Sequence, residues 1–296
     1  MAKQAVGDVE LDYERFGPEA GRPLVLIRGL GTQRTQWPED FLQALVSEGH
    51  HVVTFDNRDV GLSTRFEAAG APDIPGLMMK AAAGETPEVP YHVTDMAADV
   101  AGLIEALGLG SAHVAGISMG GMIAQQLACS HPERVISLAS IMSSSGAPGL
   151  PGPTPEASAA LMAEPDPPGD REAVARTSLA GAKVWGSLEH WPGDDWVLDQ
   201  ARQAFDRSYD PVGVARQLAA VVAAGSRADA LAKLSVPTLV IHGDADTLIP
   251  PEGGKDTAAR IPGAELLIVP GMGHDIVPAL IPTLVTALSD HTRSAG

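Results

Sequence analysis

Ser118, His274, Asp244 and Asp246 are the residues whose types and order could carry covalent chemistry. An alcohol is a weak nucleophile until a base removes its proton, and a histidine oriented by a carboxylate is a common base. Ser118 lies in Gly116-Ile117-Ser118-Met119-Gly120, and serine, aspartate and histidine follow one another in an order known for such triads. The sequence therefore predicts that Ser118 is a nucleophile and His274 its base.

A strand, a tight turn and a helix must position Ser118. Val114 and Ala115 are typical of the end of a buried strand, and the pattern at 122–129 predicts a helix. The glycines at 116 and 120 permit a sharp turn, and the following helix points its positive end at Ser118. The alternative is the glycine-rich turn of a nucleotide-binding fold, but the G-x-G-x-x-G spacing is absent.

His274 is the best candidate among nine histidines, because it follows the last predicted strand on the flexible Gly271-Met272-Gly273 loop. His242 also ends a predicted strand, but the next turn already carries the candidate acid. The remaining histidines start or precede strands, or lie in helices and loops: His50, His51, His92, His113, His131, His190 and His291.

The candidate acid is Asp246 or Asp244, both beyond the predicted strand at 238–241. Asp244 sits in the tight turn, where aspartate commonly serves as a turn former. Asp246 lies farther along the loop and can reach His274, so we favour Asp246. An acid after the preceding strand is excluded, since no acidic residue occurs between Glu133 and Glu156.

Two backbone amides are predicted to bind the oxyanion of a tetrahedral intermediate: those of Met119, next to the serine, and of Leu30 in Gly29-Leu30-Gly31. Methionines that follow strands near Ser118 predict an apolar site. The predicted pocket residues are Met122, Met142, Gly29 and Trp185. Met78 and Met79 are predicted to be core residues instead.

Strands and helices alternate along most of the chain, which predicts a mostly parallel, doubly wound sheet. The predicted strands are 9–16, 24–27, 51–55, 136–142, 238–241 and 265–269, and the clearest helices are 38–49, 94–107 and 278–291. After Met142 the chain turns proline-rich and then shows helical patterns without convincing strands. We predict an α/β core at 1–143 and 231–296 with an inserted helical cap at 144–230.

Composition narrows the possible partners and location. The net charge is −17 over 296 residues, which argues against nucleic acid or an anionic membrane as partner. Cys129 is the single cysteine, and the first residues lack the apolar core of a signal peptide, so we expect a cytoplasmic protein. No motif reports the oligomeric state, and a homodimer is one option.

Five motifs together resemble those of α/β-hydrolase-fold serine esterases over nearly the whole chain. They are Gly29-Leu30-Gly31, Asp56-x-Arg58-x-x-Gly61-x-Ser63, Gly116-Ile117-Ser118-Met119-Gly120, Gly243-x-x-Asp246 and Gly271-Met272-Gly273-His274. Trp37-Pro38, Arg58-Asp59 and the histidine loop are similar to esterases that act on carboxymethyl esters of aromatic polyketides.

The resemblance implies hydrolysis of a small to medium, largely hydrophobic carboxylic ester through an acyl-enzyme, with no cofactor and no metal. The same triad would also serve a perhydrolase of the haloperoxidase type, a lactone hydrolase or a C–C bond hydrolase. A ligand-binding protein on a hydrolase scaffold is a further alternative, and labelling of Ser118 by a fluorophosphonate distinguishes it.

Arg28 departs from the family pattern, since many relatives have histidine before the oxyanion glycine. Arginine here could fix the loop by binding a carboxylate, Asp59 or Asp56, or it could reach into the pocket and favour an anionic group. We favour the first interpretation, because arginine commonly fixes loop geometry. Asp56, Arg58 and Ser63 are likewise predicted to stabilise their loop.

Overall fold

The structure, a computed structural model, describes residues 2–295, which contain eight strands and eleven α-helices. The strands are β1 (Ala2–Val6), β2 (Val9–Phe16), β3 (Arg22–Ile27), β4 (His50–Phe55), β5 (Ala112–Ile117), β6 (Val135–Ile141), β7 (Thr238–Gly243) and β8 (Glu265–Val269). The helices are α1 (Glu39–Ser47), α2 (Ile74–Ala82), α3 (Val93–Ala106), α4 (Met119–Ser130), α5 (Pro155–Leu161), α6 (Arg171–Trp185), α7 (Asp194–Arg207), α8 (Pro211–Ala223), α9 (Ala228–Leu231), α10 (Pro251–Arg260) and α11 (Ile281–Ser294).

All eight strands form one sheet in the order β1-β2-β4-β3-β5-β6-β7-β8. The pairs β1–β2 and β2–β4 are antiparallel, and the remaining pairs are parallel. The chain leaves β3 toward β4 on one side and later places β5 on the other side of β3. Loops that leave β3 and β5 therefore diverge at a topological switch point, where open α/β sheets form their binding crevice.

The sheet is covered on both faces, so alternate residues of one strand enter different cores. In β3, Val25 and Ile27 pack with α3 and α4, whereas Leu24 and Leu26 pack with α1 and α11. All four side chains are at most 1% exposed. This two-sided burial explains why β3 reads as a continuous apolar run rather than an alternating one.

Helices α5 to α8, called the cap below, lie between β6 and β7 in the chain and cover the carboxyl edge of the sheet, where their residues share a cavity with Ser118 and His274. Three of these helices begin at a side chain that accepts from a first-turn amide. Thr154 accepts from the amide of Ala157, Asp170 from that of Ala173, and Asp210 from that of Gly213.

Some elements differ from the predictions. β1, α2 and α10 were not predicted, and Met78 and Met79 on α2 are 46% and 70% exposed, so their assignment to the core is wrong. β1 has no alternating apolar pattern, because Val6 is its one buried side chain. The strand forms because its backbone pairs with β2. No helix within residues 2–295 has the length and apolarity needed to cross a membrane.

Candidate active site

Ser118 lies between β5 and α4, in a turn with strained backbone geometry. Its φ is 56° and its ψ is −123°, a conformation that residues with a side chain rarely adopt. The turn is so tight that only glycine fits at positions 116 and 120. A Cβ on Gly116 would collide with the carbonyl of Gly120, and a Cβ on Gly120 would collide with the carbonyl of Ile27. The turn therefore presents the Ser118 hydroxyl at the carboxyl edge of the sheet.

His274 connects Ser118 to Asp246 through two hydrogen bonds. His274 Nε2 lies 2.9 Å from Ser118 Oγ, and His274 Nδ1 lies 2.7 Å from Asp246 Oδ2. The second carboxylate oxygen, Asp246 Oδ1, accepts from the backbone amides of Leu248 and Ile249, each at 2.9 Å. The structure thus brings together three side chains that the sequence separates by up to 156 positions.

Asp246 is buried and yet ionised. Burial by itself would raise the pKa of Asp246, but the facing His274 and hydrogen bonds from His242, His274 and the Ile249 amide outweigh burial and lower this pKa to about 2. An anionic carboxylate at Nδ1 favours the imidazole tautomer that carries its proton there. Nε2 is then free to accept the Ser118 proton, which is the arrangement that activates an alcohol as a nucleophile.

The loop that carries His274 is held from two sides. Asp244 Oδ1 accepts from the amide of Gly271 at 2.7 Å, so Asp244 fixes the start of the loop and does not contact the imidazole. The amide of His274 donates to the carbonyl of Trp185, the last residue of α6, at 2.6 Å. Core and cap together therefore determine where the imidazole lies.

Two backbone amides near Ser118 are available to bind an oxyanion. Met119 is the first residue of α4, and the first amides of a helix have no partner within it. The Leu30 amide makes no hydrogen bond within residues 2–295, whereas the Gly31 amide donates to Gln217 Oε1 at 2.9 Å. Both Leu30 and Met119 line the cavity in front of Ser118.

That cavity has a volume of about 420 Å³ and lies between the sheet edge and the cap. Its walls are mostly apolar, and the four residues predicted to line a pocket are all among them: Gly29, Met122, Met142 and Trp185. The cap contributes further apolar residues: Leu161, Trp196, Val197, Leu218 and Val221. The site can therefore hold a small or medium, largely hydrophobic molecule beside Ser118.

Residues 22–278 match the family described as alpha/beta hydrolase fold. The chain belongs to this family. The predicted α/β-hydrolase fold and the predicted family resemblance are thereby confirmed, and the sheet order described above agrees with them.

Two relatives of known name align with nearly the whole chain. This chain is 28% identical to rhodomycin D methylesterase DauP of Streptomyces sp. (strain C5) and 29% identical to rhodomycin D methylesterase DnrP of Streptomyces peucetius. Each alignment covers 97% of this chain and 96% of the relative. The crystal structure of the enol-lactonase from Burkholderia xenovorans LB400 superposes with a TM-score of 0.74 at 24% identity, covering 99% of this chain and 100% of that chain. The enol-lactonase is similar in fold.

Arg28 of this hydrolase binds neither Asp56 nor Asp59, so the interpretation that it fixes the loop through one of these carboxylates is wrong. Asp56 Oδ2 lies 2.8 Å from Arg207, and Asp59 Oδ1 lies 2.7 Å from Arg216. Both arginines come from the cap. The carboxylates near the loop are therefore occupied by cations that are more than 140 residues away in the chain, which no local motif could reveal.

Other parts of the family motif stabilise their loop as predicted. Arg58 donates to both carboxylate oxygens of Asp99, each at 2.7 Å, and Ser63 Oγ donates to the carbonyl of Asp56 at 2.6 Å. These contacts lie outside the cavity and orient the segment that follows β4.

Sequence reasoning missed three residues that support the site. Gln217 on α8 binds the Gly31 amide, His242 Nε2 lies 3.5 Å from Asp246 Oδ2, and Asp275 accepts from Ser187 Oγ at 2.5 Å. Burial raises the pKa of Asp275. The position of Asp275 next to His274 and that of His242 four residues before Asp246 were signals that could have found these two, but Gln217 carries no such signal.

Two buried histidines away from Ser118 make structural contacts. His113 Nδ1 lies 2.9 Å from Ser137 Oγ, and burial lowers the pKa of His113 to about 4. His50 lies between the carbonyl of Leu45 and Thr292 Oγ1. Across residues 2–295, no three histidine, cysteine, aspartate or glutamate side chains are arranged to hold a metal ion.

Proposed function

We propose that this chain hydrolyses carboxylic esters through a covalent acyl-enzyme, with Ser118 as the nucleophile. His274 acts as general base and then general acid, and Asp246 orients and stabilises its imidazole. The observation that carries the proposal is the continuous hydrogen-bonded chain from Ser118 Oγ through His274 to Asp246, at 2.9 and 2.7 Å. The two methylesterase relatives support an ester as the substrate class.

The proposed reaction has two halves. Ser118 Oγ attacks the ester carbonyl while its proton passes to His274 Nε2, and the amides of Leu30 and Met119 stabilise the resulting oxyanion. The tetrahedral intermediate expels the alcohol, which takes the proton from His274. Water then loses a proton to His274 and attacks the acyl group, so that the acid is released and the Ser118 hydroxyl is restored.

Replacement of Ser118 by alanine tests this proposal directly. We expect turnover of p-nitrophenyl and methyl esters to fall by about three orders of magnitude or more, because loss of the nucleophile leaves only the residual effects of binding and oxyanion stabilisation. Turnover is followed by p-nitrophenolate absorbance or by titration of released acid. Wild-type-like rates in Ser118→Ala would refute the proposal.

A fluorophosphonate probe provides an independent readout of the same serine. Wild-type protein should form a covalent adduct at Ser118, detectable as a mass increase on a peptide that contains it, and Ser118→Ala should not. Ser143, whose side chain is also buried near the turn, offers a matched control, since Ser143→Ala should keep the adduct. An unlabelled wild-type protein would indicate a binding protein rather than an enzyme.

A further inference from the structure

Arg28 is a buried cation at the wall of the active-site cavity. Its side chain is 9% exposed, and it lines the same cavity as Ser118 and His274. It directly precedes Gly29 and Leu30, which line the same cavity, so Arg28 lies next to the proposed oxyanion donor in the chain. A cation in this place acts on whatever the cavity binds.

The guanidinium of Arg28 lacks an anionic partner. Its Nε donates to Thr32 Oγ1 at 3.3 Å, and its central carbon lies 4.8 Å from the ring centre of Trp37. Within residues 2–295, Nη1 and Nη2 have no hydrogen-bond acceptor and no carboxylate within 4.0 Å. Burial lowers the pKa of Arg28 to about 9, with no carboxylate opposing this effect. The side chain still carries its charge at neutral pH.

Other buried arginines of this chain show what Arg28 is missing. Arg34, Arg58 and Arg216 each pair with an aspartate at 2.6 to 2.7 Å. Arg227, which has no aspartate, donates instead to Gln125 Oε1 and to a backbone carbonyl, and it does not line the cavity. Buried charges are nearly always paired or hydrogen-bonded, and Arg227 has two neutral acceptors. The Arg28 Nη groups have none within residues 2–295, so they are available to an acceptor that enters the cavity.

Asp275, the one acidic side chain among the described residues of the cavity wall, does not fill this role. Its carboxylate accepts from the hydroxyl and the amide of Ser187, and it forms no ion pair with Arg28 within the part of the chain that the structure describes. Thr32, Gln36 and Gln200 line the cavity together with Arg28 and are uncharged. Arg28 is therefore the one lysine or arginine among the described residues of a mostly apolar cavity wall.

We propose that Arg28 binds a carboxylate of the substrate, so that the preferred esters carry an anionic group at the end of an apolar body. A planar guanidinium, stacked on an aromatic ring, offers parallel N–H groups that match the two oxygens of a carboxylate. Monoesters of dicarboxylic acids and esters of carboxylated alcohols are the corresponding classes. This inference rests on the proposed ester hydrolysis and specifies its substrate.

Matched ester pairs test the inference. Monomethyl adipate against methyl hexanoate places the charge on the acyl part, and 4-acetoxybenzoate against 4-acetoxybenzamide places it on the alcohol part. We expect kcat/KM of wild type to favour the anionic member of at least one pair by about tenfold or more, and Arg28→Met to abolish this preference. An equal ratio in wild type and Arg28→Met for both pairs would overturn the inference while leaving ester hydrolysis intact.

Two variants separate recognition from a general effect of charge. Arg22→Met removes a positive charge at the opposite end of β3, outside the cavity, and should leave the ratio unchanged. Arg28→Lys keeps the charge but loses the planar fork, so the ratio should be intermediate. If Arg22→Met lowered the ratio as much as Arg28→Met, recognition by Arg28 would be refuted.

A binding measurement keeps the test independent of turnover. Calorimetry with monomethyl adipate and 4-acetoxybenzoate on Ser118→Ala protein should show, for at least one of them, binding that Ser118→Ala/Arg28→Met weakens about tenfold or more. Melting temperatures of both proteins confirm that they are folded. If wild type hydrolysed none of the esters while this difference in binding persisted, the proposed reaction would be refuted and the anion site supported. If the two proteins bound each compound equally, the anion site would be refuted.

Discussion

At the residue scale, Asp246 keeps a negative charge in a place that water does not reach. Its side chain is fully buried, and four groups compensate the loss of hydration: two histidines and the amides of Leu248 and Ile249. A carboxylate so held can stabilise the imidazolium that forms when His274 accepts a proton. The same interactions make the stability of the fold depend on pH.

The low pKa of Asp246 predicts the sign of that dependence. Folding lowers this pKa from 3.8 to about 2, so the folded state binds fewer protons, and the stabilisation is complete above pH 5 and lost as pH falls toward 2. Between pH 5 and pH 2, the unfolding free energy of wild type should fall about 2 kcal/mol more than that of Asp246→Asn. Urea unfolding at pH 5, 4 and 3 measures the onset, and parallel curves would contradict the prediction.

At the scale of elements, α8 positions the loop that carries Leu30, the proposed oxyanion donor. Gln217 is fully buried on this helix; its Oε1 accepts from the Gly31 amide at 2.9 Å, and its Nε2 donates to the carbonyl of Arg58 at 2.7 Å. One cap side chain thus bridges the loops that follow β3 and β4. Gln217 is a positioning residue, because it acts on the donor through the loop.

Gln217→Met is expected to lower kcat about tenfold while changing KM little, because the shifted Leu30 amide stabilises the transition state less well. The exposed side chain of Gln43, whose one hydrogen bond within residues 2–295 goes to Glu39 on its own helix, supplies the control variant Gln43→Met with unchanged kcat. Assays well below both melting temperatures separate positioning from stability. If Gln217→Met lowered the melting temperature but kept a normal kcat, Gln217 would have a structural role alone.

At the scale of the whole molecule, buried ion pairs connect the cap to the core. Arg216 on α8 donates to both carboxylate oxygens of Asp59 at 2.7 and 2.8 Å, and these side chains are 1% and 0% exposed. Arg207 at the end of α7 contacts Asp12 at 2.6 Å and Asp56 at 2.8 Å. The cap is therefore anchored to strand β2 and to the loop that follows β4.

Breaking one such pair should destabilise the whole fold. Arg216→Met leaves Asp59 buried without its cation, so the unfolding free energy should fall by about 3–5 kcal/mol, and adding Asp59→Asn should restore part of this loss. The exposed pair of Arg171 and Asp206 provides a contrast, because Arg171→Met should change stability little. Equal effects of the two arginine variants in urea unfolding would show that burial of the pair is unimportant.

Local patterns in the sequence are enough to predict several elements of the fold. The apolar run of β3, the glycines around Ser118, and the strands that precede Asp246 and His274 fixed the type of fold and the sheet edge at which these residues lie. Short-range sterics and periodic burial govern such features, so they are visible in a few consecutive residues.

Contacts between groups far apart in the chain follow from tertiary packing. Arg28 has two candidate carboxylates, Asp56 and Asp59, yet cap arginines occupy both, and Arg28 lines the cavity. Gln217 likewise gains its role from the Gly31 amide, 186 positions away in the chain. These contacts depend on how the cap packs over the sheet. The free energy of that packing comes from many side chains that are distant in the chain, so no single motif predicts it.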